Sequence, residues 1–200
     1  MTRYECLQIL APLVTNHLIV TSQSGQRIEW GHLSEHGGNL LLGEMGAAAG
    51  VAAGLALALP NRPVVALESD GSTLLSLSIL ATVANLGIRN LAVFVFDNAM
   101  YSGTRISEPT ATAGKTDLET VARGAGIEHS VTVRDVESFK KQAVLAMRGT
   151  TLCFIVCKVE ESLIHREIHR PAVDLVENKY RFVRYLEATE GRVAPFIGRG

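Results

Sequence analysis

Two apolar, β-branched runs, Pro63-Val64-Val65-Ala66-Leu67 and Leu91-Ala92-Val93-Phe94-Val95-Phe96, stand one helix-length apart. That spacing constrains the fold more than any other feature. Between the runs, Thr73–Gly87 repeats Leu, Ile and Val at helical intervals, so the order is strand, helix, strand: a parallel crossover unit. Each run leads into a polar signature, Ser69-Asp70-Gly71-Ser72 after the first and Asp97-Asn98 after the second. Asp70 and Asn98 are then expected to end neighbouring parallel strands, about 4.8 Å apart, at the carboxyl edge where such sheets bind ligands.

A carboxylate and an amide oxygen suit a hard divalent cation, Mg²⁺ or Ca²⁺. Mg²⁺ commonly completes its shell with water and phosphate oxygens, so a phosphorylated ligand is implied. Gly71 lets the backbone come close to such a ligand. Ser72 stands where an N-cap would, opening a helix whose N–H groups attract phosphate. The plainer reading makes Asp70-Gly71 a turn, Ser72 a cap and Asn98 the start of another turn. Each half alone fits that reading; the two halves at consecutive strand ends favour the cation and phosphate.

These residues resemble the diphosphate-binding motif of thiamine diphosphate enzymes, Gly-Asp-Gly followed one helix-length later by Asn. Gly43-Glu44-Met45-Gly46 resembles the Gly-x-(large apolar)-Gly turn that supports the bent coenzyme there. The segments Leu41–Leu59, Asp70–Leu80, Asp97–Gly103 and Thr116–Ala122 are similar to the sulfopyruvate decarboxylase β and phosphonopyruvate decarboxylase branch, over roughly residues 1–160. Ser69 replaces the first glycine of the motif, and Ala99-Met100 a glycine-containing pair. A serine is tolerated at the first position if its φ is negative.

The resemblance implies a thiamine diphosphate- and Mg²⁺-dependent 2-oxo acid decarboxylase, in which the coenzyme carries the chemistry. Carried over by position, Asp70 and Asn98 bind Mg²⁺ through side chains and Met100 through its carbonyl. Gly71 and Ser72 hold diphosphate oxygens. The Gly43 carbonyl accepts from the aminopyrimidine, with Glu44 beside it, and Met45 wedges the coenzyme into its bent form; taken alone, Met45 could equally be a core methionine. Tyr101, Ser102, Gly103 and Thr104 cover the diphosphate, and Arg105 meets an anionic substrate. The family's activating glutamate sits on a separate pyrimidine-binding domain, for which 200 residues leave no room. Glu44 does not match it in position. The expected partner is therefore an α-type pyrimidine-binding subunit in a hetero-oligomer such as α2β2 or larger, with a 2-oxo acid bearing an anionic head group as substrate. Two other readings stay open: a non-catalytic, thiamine-binding assembly or regulatory subunit, and a Rossmann-like nucleotide-binding enzyme. The latter lacks Gly-x-Gly-x-x-Gly after the first strand.

Repeated β–α alternation predicts an α/β three-layer sandwich around a mostly parallel sheet, the thiamine diphosphate-binding fold. One domain is expected over residues 1–187, with a flexible tail over 188–200. Helices are read at Arg3–Leu13, Asp117–Ala125, Val136–Met147 and Pro171–Ala188, the last with Val173, Val176, Tyr180, Val183 and Glu187 on one side. Further strands are read at His17–Thr21, Asn39–Leu42, Glu128–Val133 and Thr151–Val159, with Ser22–Gly38 and Ala99–Lys115 as loops. Gly46–Leu59 is too short to span a bilayer; its glycines at every fourth position predict a buried helix with a subunit contact.

A net charge of −1 gives no reason to expect nucleic acid or an anionic membrane. Cys6, Cys153 and Cys157 make no disulfide framework, and Cys153 and Cys157 share a strand face, as core residues do. Met1–Gln8 lacks the pattern of a secretory leader, so a cytoplasmic location is expected. Gly114-Lys115-Thr116 fails as a P-loop because its first glycine would fall on Pro109. The pairs His32/His36 and His165/His169 lack the acidic partner of a zinc site. Asp70 is expected to have no second nearby carboxylate suited to acid/base work, with Glu68 on the other face of its strand.

Overall fold

The computed structural model describes residues 1–101, 107–162, 167–168 and 174–191. Its strands are β1 (Leu18–Thr21), β2 (Asn39–Leu41), β3 (Val64–Ser69), β4 (Leu91–Asp97), β5 (Met100–Tyr101), β6 (Glu108–Pro109), β7 (His129–Val133) and β8 (Cys153–Lys158). Six of them form one sheet in the order β2-β1-β3-β4-β8-β7, and every pairing in it is parallel. β3 and β4 are buried along their whole length. That is why they read as unbroken apolar runs: a parallel sheet is covered on both faces.

Helices supply the covers: α1 (Arg3–Leu10), α2 (Gly25–Leu33), α3 (Ala48–Ala58), α4 (Asp70–Leu75), α5 (Ser78–Asn85), α6 (Leu118–Gly124), α7 (Val136–Ala146) and α8 (Leu175–Glu190). Alternate strand residues feed opposite cores. Val64, Ala66, Val93 and Val95 pack with residues of α3, α5, α6 and α8. Val65, Leu67, Phe94 and Phe96 pack with α1, α2 and α7, where Trp30 and Phe139 are the largest members. Three layers result. Cys6, Cys153 and Cys157 are free thiols in the second core. Burial pushes Cys6 up to about 12 and Cys153 up to about 11, so both stay protonated and inert.

Several elements depart from the reading above, each for a local reason. Ser22–Gly38 contains α2, whose buried face is Gln26, Glu29 and Trp30. Each of these side chains has a partner: Gln26 donates to Ser22 Oγ at 2.7 Å, though its Oε1 is left without a donor, Glu29 takes a two-pronged contact from Arg3 at 2.7 and 2.8 Å, and Trp30 donates to Asn39 Oδ1 at 2.9 Å. A helix whose inward stripe is polar carries no apolar period. The single helix expected over Thr73–Gly87 is two, α4 and α5. Between them Ser76 donates to the Thr73 carbonyl and Ile79 to the Ser76 carbonyl, a tighter winding.

α3 is not fully buried. Its alanines 48, 49, 52, 53 and 56 face the sheet, while Val51 and Leu57 are exposed and Gly54 faces open space. α8 packs on the domain by a face other than the stripe of Val176 and Tyr180. Asn178 and Phe182 are buried, Val176 and Tyr180 are exposed, and Val173 lies outside the described residues. Asn178 decides this orientation: its Oδ1 accepts from Leu41 N at 2.8 Å and its Nδ2 donates to the Asn39 carbonyl at 3.0 Å. One amide side chain thus pairs the open edge of β2. α8 also extends through Glu190, beyond the residue-187 domain boundary; residues 192–200 lie outside the described residues. The loop 99–115 holds a small hairpin, β5 against β6.

Candidate functional site

β3 and β4 run side by side with Ser69 opposite Phe96, so Asp70 and Asn98 emerge at the same carboxyl edge. Asp70 is the first residue of α4 and is buried. Its Oδ2 accepts from Thr110 Oγ1 at 2.7 Å, with Thr112 Oγ1 at 3.3 Å. Its Oδ1 is buried without a hydrogen-bond partner. An unpaired buried carboxylate oxygen is costly unless something occupies it. Burial holds the Asp70 carboxyl above its usual range, Thr110 pulls it back, and the neighbouring Asp97 raises it further.

Asp97 is thus a second carboxylate beside Asp70, one that the sequence reading did not single out. It is buried at the end of β4. Its Oδ1 accepts from Thr112 Oγ1 at 2.8 Å and from Ala99 N at 3.0 Å, and its Oδ2 pairs with Lys158 at 2.5 Å. Every oxygen of Asp97 is satisfied, whereas one of Asp70 is not. Glu68 is also near, with a different cause for its separation. Residues two apart on a strand share a face, but the strand ends at Ser69 and Asp70 has already turned into α4.

Ser69, not Ser72, is the N-cap: its Oγ accepts from Ser72 N at 3.2 Å, and its φ is −104°, so a side chain is accommodated there. Ser72 is fully buried, donates to Glu68 Oε2, and accepts from Gly46 N at 2.7 Å. Glu68 Oε1 accepts from Ala49 N at 3.0 Å, at the start of α3. Burial raises the Glu68 carboxyl, and the Ser72 and Ser22 hydroxyls and the α3 amides pull it down. This chain of bonds ties the Gly43–Gly46 turn to the Asp70 turn.

The turn itself is fastened at Glu44, whose carbonyl accepts from Gln23 N at 2.9 Å. Gly46 has φ +78° and lies so close to Ser76 that a Cβ would meet Ser76 Oγ at 2.6 Å, so glycine is required there. Glu44 is exposed and Met45 is 38% exposed; Met45 stands out from the fold and is not a core residue. Gly43 abuts Leu175 of α8.

After Asn98 the chain makes a tight reversal. Ala99 has φ +60°, a left-handed conformation that costs a non-glycine residue. Asn98 Oδ1 accepts from Met100 N at 3.2 Å. Thr110 N donates to the Ala99 carbonyl at 3.0 Å, and Met100 is opposite Pro109. In an antiparallel pair bonded and non-bonded positions alternate, so the Met100 carbonyl points away from β6, and Pro109 has no N–H to offer it. Tyr101 lies over Gly71, where a Cβ would collide with the ring. Ser102, Gly103, Thr104 and Arg105 lie outside the described residues.

The structure therefore gathers Asp70, Gly71, Asn98, Met100 and Tyr101 at one edge, with the Gly43–Met45 turn linked to them through Ser72. Sequence reasoning missed Thr110, Thr112, Asp97 and Lys158. Only Asp97 carried a local signal, its place beside Asn98. Among the described residues no group of three His, Cys, Asp or Glu is arranged to hold a metal. His36 lies beyond the end of α2, against Tyr185; His165 and His169 lie outside the described residues. No helix among the described residues is long and apolar enough to cross a membrane.

Comparison with known proteins bears on the same region. The family described as thiamine pyrophosphate enzyme, C-terminal TPP binding domain, matches residues 22–157. The sulfopyruvate decarboxylase subunit beta of Methanococcus maripaludis is 30% identical over 190 residues, covering 94% of this chain and 98% of that protein. A phosphonopyruvate decarboxylase of Streptomyces viridochromogenes is 37% identical over 120 residues, covering 59% of this chain and 30% of the relative. Among solved structures, the benzoylformate decarboxylase of Polynucleobacter necessarius superposes with a TM-score of 0.65 at 18% identity, over 80% of this chain and 34% of that one. A putative thiamin diphosphate-dependent enzyme isolated from Mycobacterium smegmatis gives a TM-score of 0.66 at 18% identity, over 81% of this chain and 32% of that one. At that identity the likeness concerns the fold alone. The motif at the two strand tips, the parallel sheet that presents it and the family match across residues 22–157 agree, and the chain belongs to the thiamine pyrophosphate enzymes, carrying their C-terminal, coenzyme-binding domain.

Proposed function

We propose that this chain is the diphosphate-binding subunit of a thiamine diphosphate- and Mg²⁺-dependent 2-oxo acid decarboxylase of the sulfopyruvate or phosphonopyruvate type. The single observation that carries the cation is Asp70 Oδ1, a buried carboxylate oxygen with no donor. The donor set around it fits Mg²⁺: one carboxylate oxygen, the amide oxygen of Asn98 and the outward carbonyl of Met100 are all hard oxygen ligands. Asp70 and Asp97 together bring two negative charges and Lys158 one positive, so a divalent cation reverses the local sign and attracts a diphosphate.

Thiamine diphosphate, when bound, supplies the carbanion and the electron sink of the decarboxylation. This chain's residues bind and orient. Asp70, Asn98 and Met100 would hold the cation; Gly71 would present backbone to the diphosphate, with Ser72, capped by Ser69, beside it; and the Gly43 carbonyl, with Glu44 and Met45 next to it, would receive the aminopyrimidine. Tyr101, with Ser102 and Gly103, covers the diphosphate and excludes water. The group that activates the coenzyme comes from the partner, a pyrimidine-binding subunit; two relatives named subunit beta that extend over 94% and 74% of this chain support that division.

The test has two stages. Mg²⁺ with thiamine diphosphate raises the melting temperature of the wild-type chain, and Asp70→Ala removes the rise. Co-expression with a pyrimidine-binding subunit then yields CO₂ from sulfopyruvate or phosphonopyruvate. An Asp70→Ala protein stabilised as well as wild type overturns the cation reading, and CO₂ release by this chain alone overturns the division of labour.

A further inference from the structure

The orientation of Asp70 depends on a segment far along the chain. Thr110 is the N-cap and Thr112 the middle residue of a short 3-10 turn, Ala111–Ala113. That turn is anchored by the bond from Thr110 N to the Ala99 carbonyl, right after Asn98. Both threonine side chains are buried. Each hydroxyl has a single proton. Thr110 gives its proton to Asp70 Oδ2 at 2.7 Å. Thr112 lies 2.8 Å from both Thr110 Oγ1 and Asp97 Oδ1 and shares its proton between them. A Thr side chain has few χ1 choices, so the pair fixes the carboxylate's rotation. It satisfies one oxygen of Asp70 and leaves the other, buried, without a donor.

We infer that Thr110 and Thr112 are positioning residues for the cation: Thr110 holds Asp70 by Oδ2, with Thr112 orienting the Thr110 hydroxyl, so that Oδ1 is kept for the metal. They also make cation affinity depend on the seating of the 107–113 arm that returns from the coenzyme loop. The inference rests on the Mg²⁺–diphosphate reading above. Partners of this kind, one step removed from a metal, typically alter its affinity by about 10–100-fold when removed.

The experiment measures Mn²⁺ binding to the full chain in the presence of thiamine diphosphate, from the electron paramagnetic resonance signal of free Mn²⁺. Thr110→Val keeps the shape and loses the hydroxyl; Thr110→Ser keeps the hydroxyl and loses the methyl. The expected result is about a tenfold or greater loss of Mn²⁺ affinity for Val and near wild-type affinity for Ser. A packing role predicts the opposite order, and that order, or equal affinity for Val and wild type, overturns the inference. Thr112→Val and Thr112→Ser carry the same contrast should Thr110→Val fail to fold. Wild-type and Asp70→Ala proteins separate the two levels: no Mn²⁺ uptake by wild type, or equal uptake by Asp70→Ala, overturns the cation reading itself. Uptake by wild type, none by Asp70→Ala and full uptake by Thr110→Val overturn the threonine inference alone.

Discussion

The two ends of β3 and β4 are built on opposite terms. At the amino end, Asn90 donates through one amide nitrogen to the carbonyls of Ala56, Leu59 and Arg62 at 3.1, 2.9 and 2.7 Å. Arg62 donates to the Asn16 carbonyl, Thr189, Glu190 and Tyr185, so α8 is fastened back onto the sheet. At the carboxyl end, equally buried polar groups leave Asp70 Oδ1 unpaired, and Ala99 sits at φ +60°. The amino end uses its polar groups to close the fold. The carboxyl end holds one in reserve and tolerates backbone strain, the usual signature of a ligand site.

Removing the reserved group is the sharpest way to break this contrast. With coenzyme and Mg²⁺ at about a hundredfold above their dissociation constant, wild type gains about 2.7 kcal/mol; Asp70→Asn gains none. In the apo-protein the same variant is the more stable by about 1 kcal/mol, because it removes a buried charge that lacks a partner. Parallel melts with and without ligand check both signs.

The matching change at the amino end is Arg62→Ala, which leaves Glu190 unpaired and frees α8; it costs about 3 kcal/mol in urea unfolding. A loss below about 1 kcal/mol would erase the distinction between the two ends. A smaller effect has the opposite sign. Ala99→Gly relieves about 1–2 kcal/mol of left-handed strain and adds about 0.5–1 kcal/mol of unfolded-state entropy. A net gain of about 0.5 kcal/mol in the apo-protein is expected.

The smallest effect is a pH dependence at the amino end. His17 donates to the Met147 carbonyl at 2.8 Å, and burial, with His36 and Arg62 nearby, lowers its pKa below 6.5. The unfolded chain then binds a proton that the folded chain refuses. Stability from this group is present above about pH 6.5 and falls as pH drops toward the lowered folded value. Urea titrations from pH 8 to 5 show the decline, and His17→Gln flattens it.

How much of this was legible in the residues varied with distance along the chain. Asp70 and Asn98 were legible because each follows a long apolar run, and a parallel crossover leaves little choice of edge. Thr110 and Lys158 were not, since 40 residues separate Thr110 from Asp70 and 61 separate Lys158 from Asp97, and threonine and lysine at those places have no local pattern. α2 was passed over because its inward side is Gln26, Glu29 and Trp30, whose burial makes sense only once Arg3, Ser22 and Asn39 are known to meet it. The cap was placed on Ser72 when Ser69 fills it, three residues earlier at the end of β3; the Ser-x-x-Ser spacing is compatible with either.

From the order of residues alone came the alternation of strands and helices, the parallel sheet and the meeting of Asp70 and Asn98 at one edge of it. Those follow from local rules, because periodic burial and short crossovers act over neighbouring residues. Tertiary structure alone decided which oxygen of Asp70 is left open, which face of α8 turns inward and which hydroxyls hold the carboxylate. Each of these is settled by a donor and an acceptor from distant parts of the chain meeting in a space without water, where a missing hydrogen bond costs most.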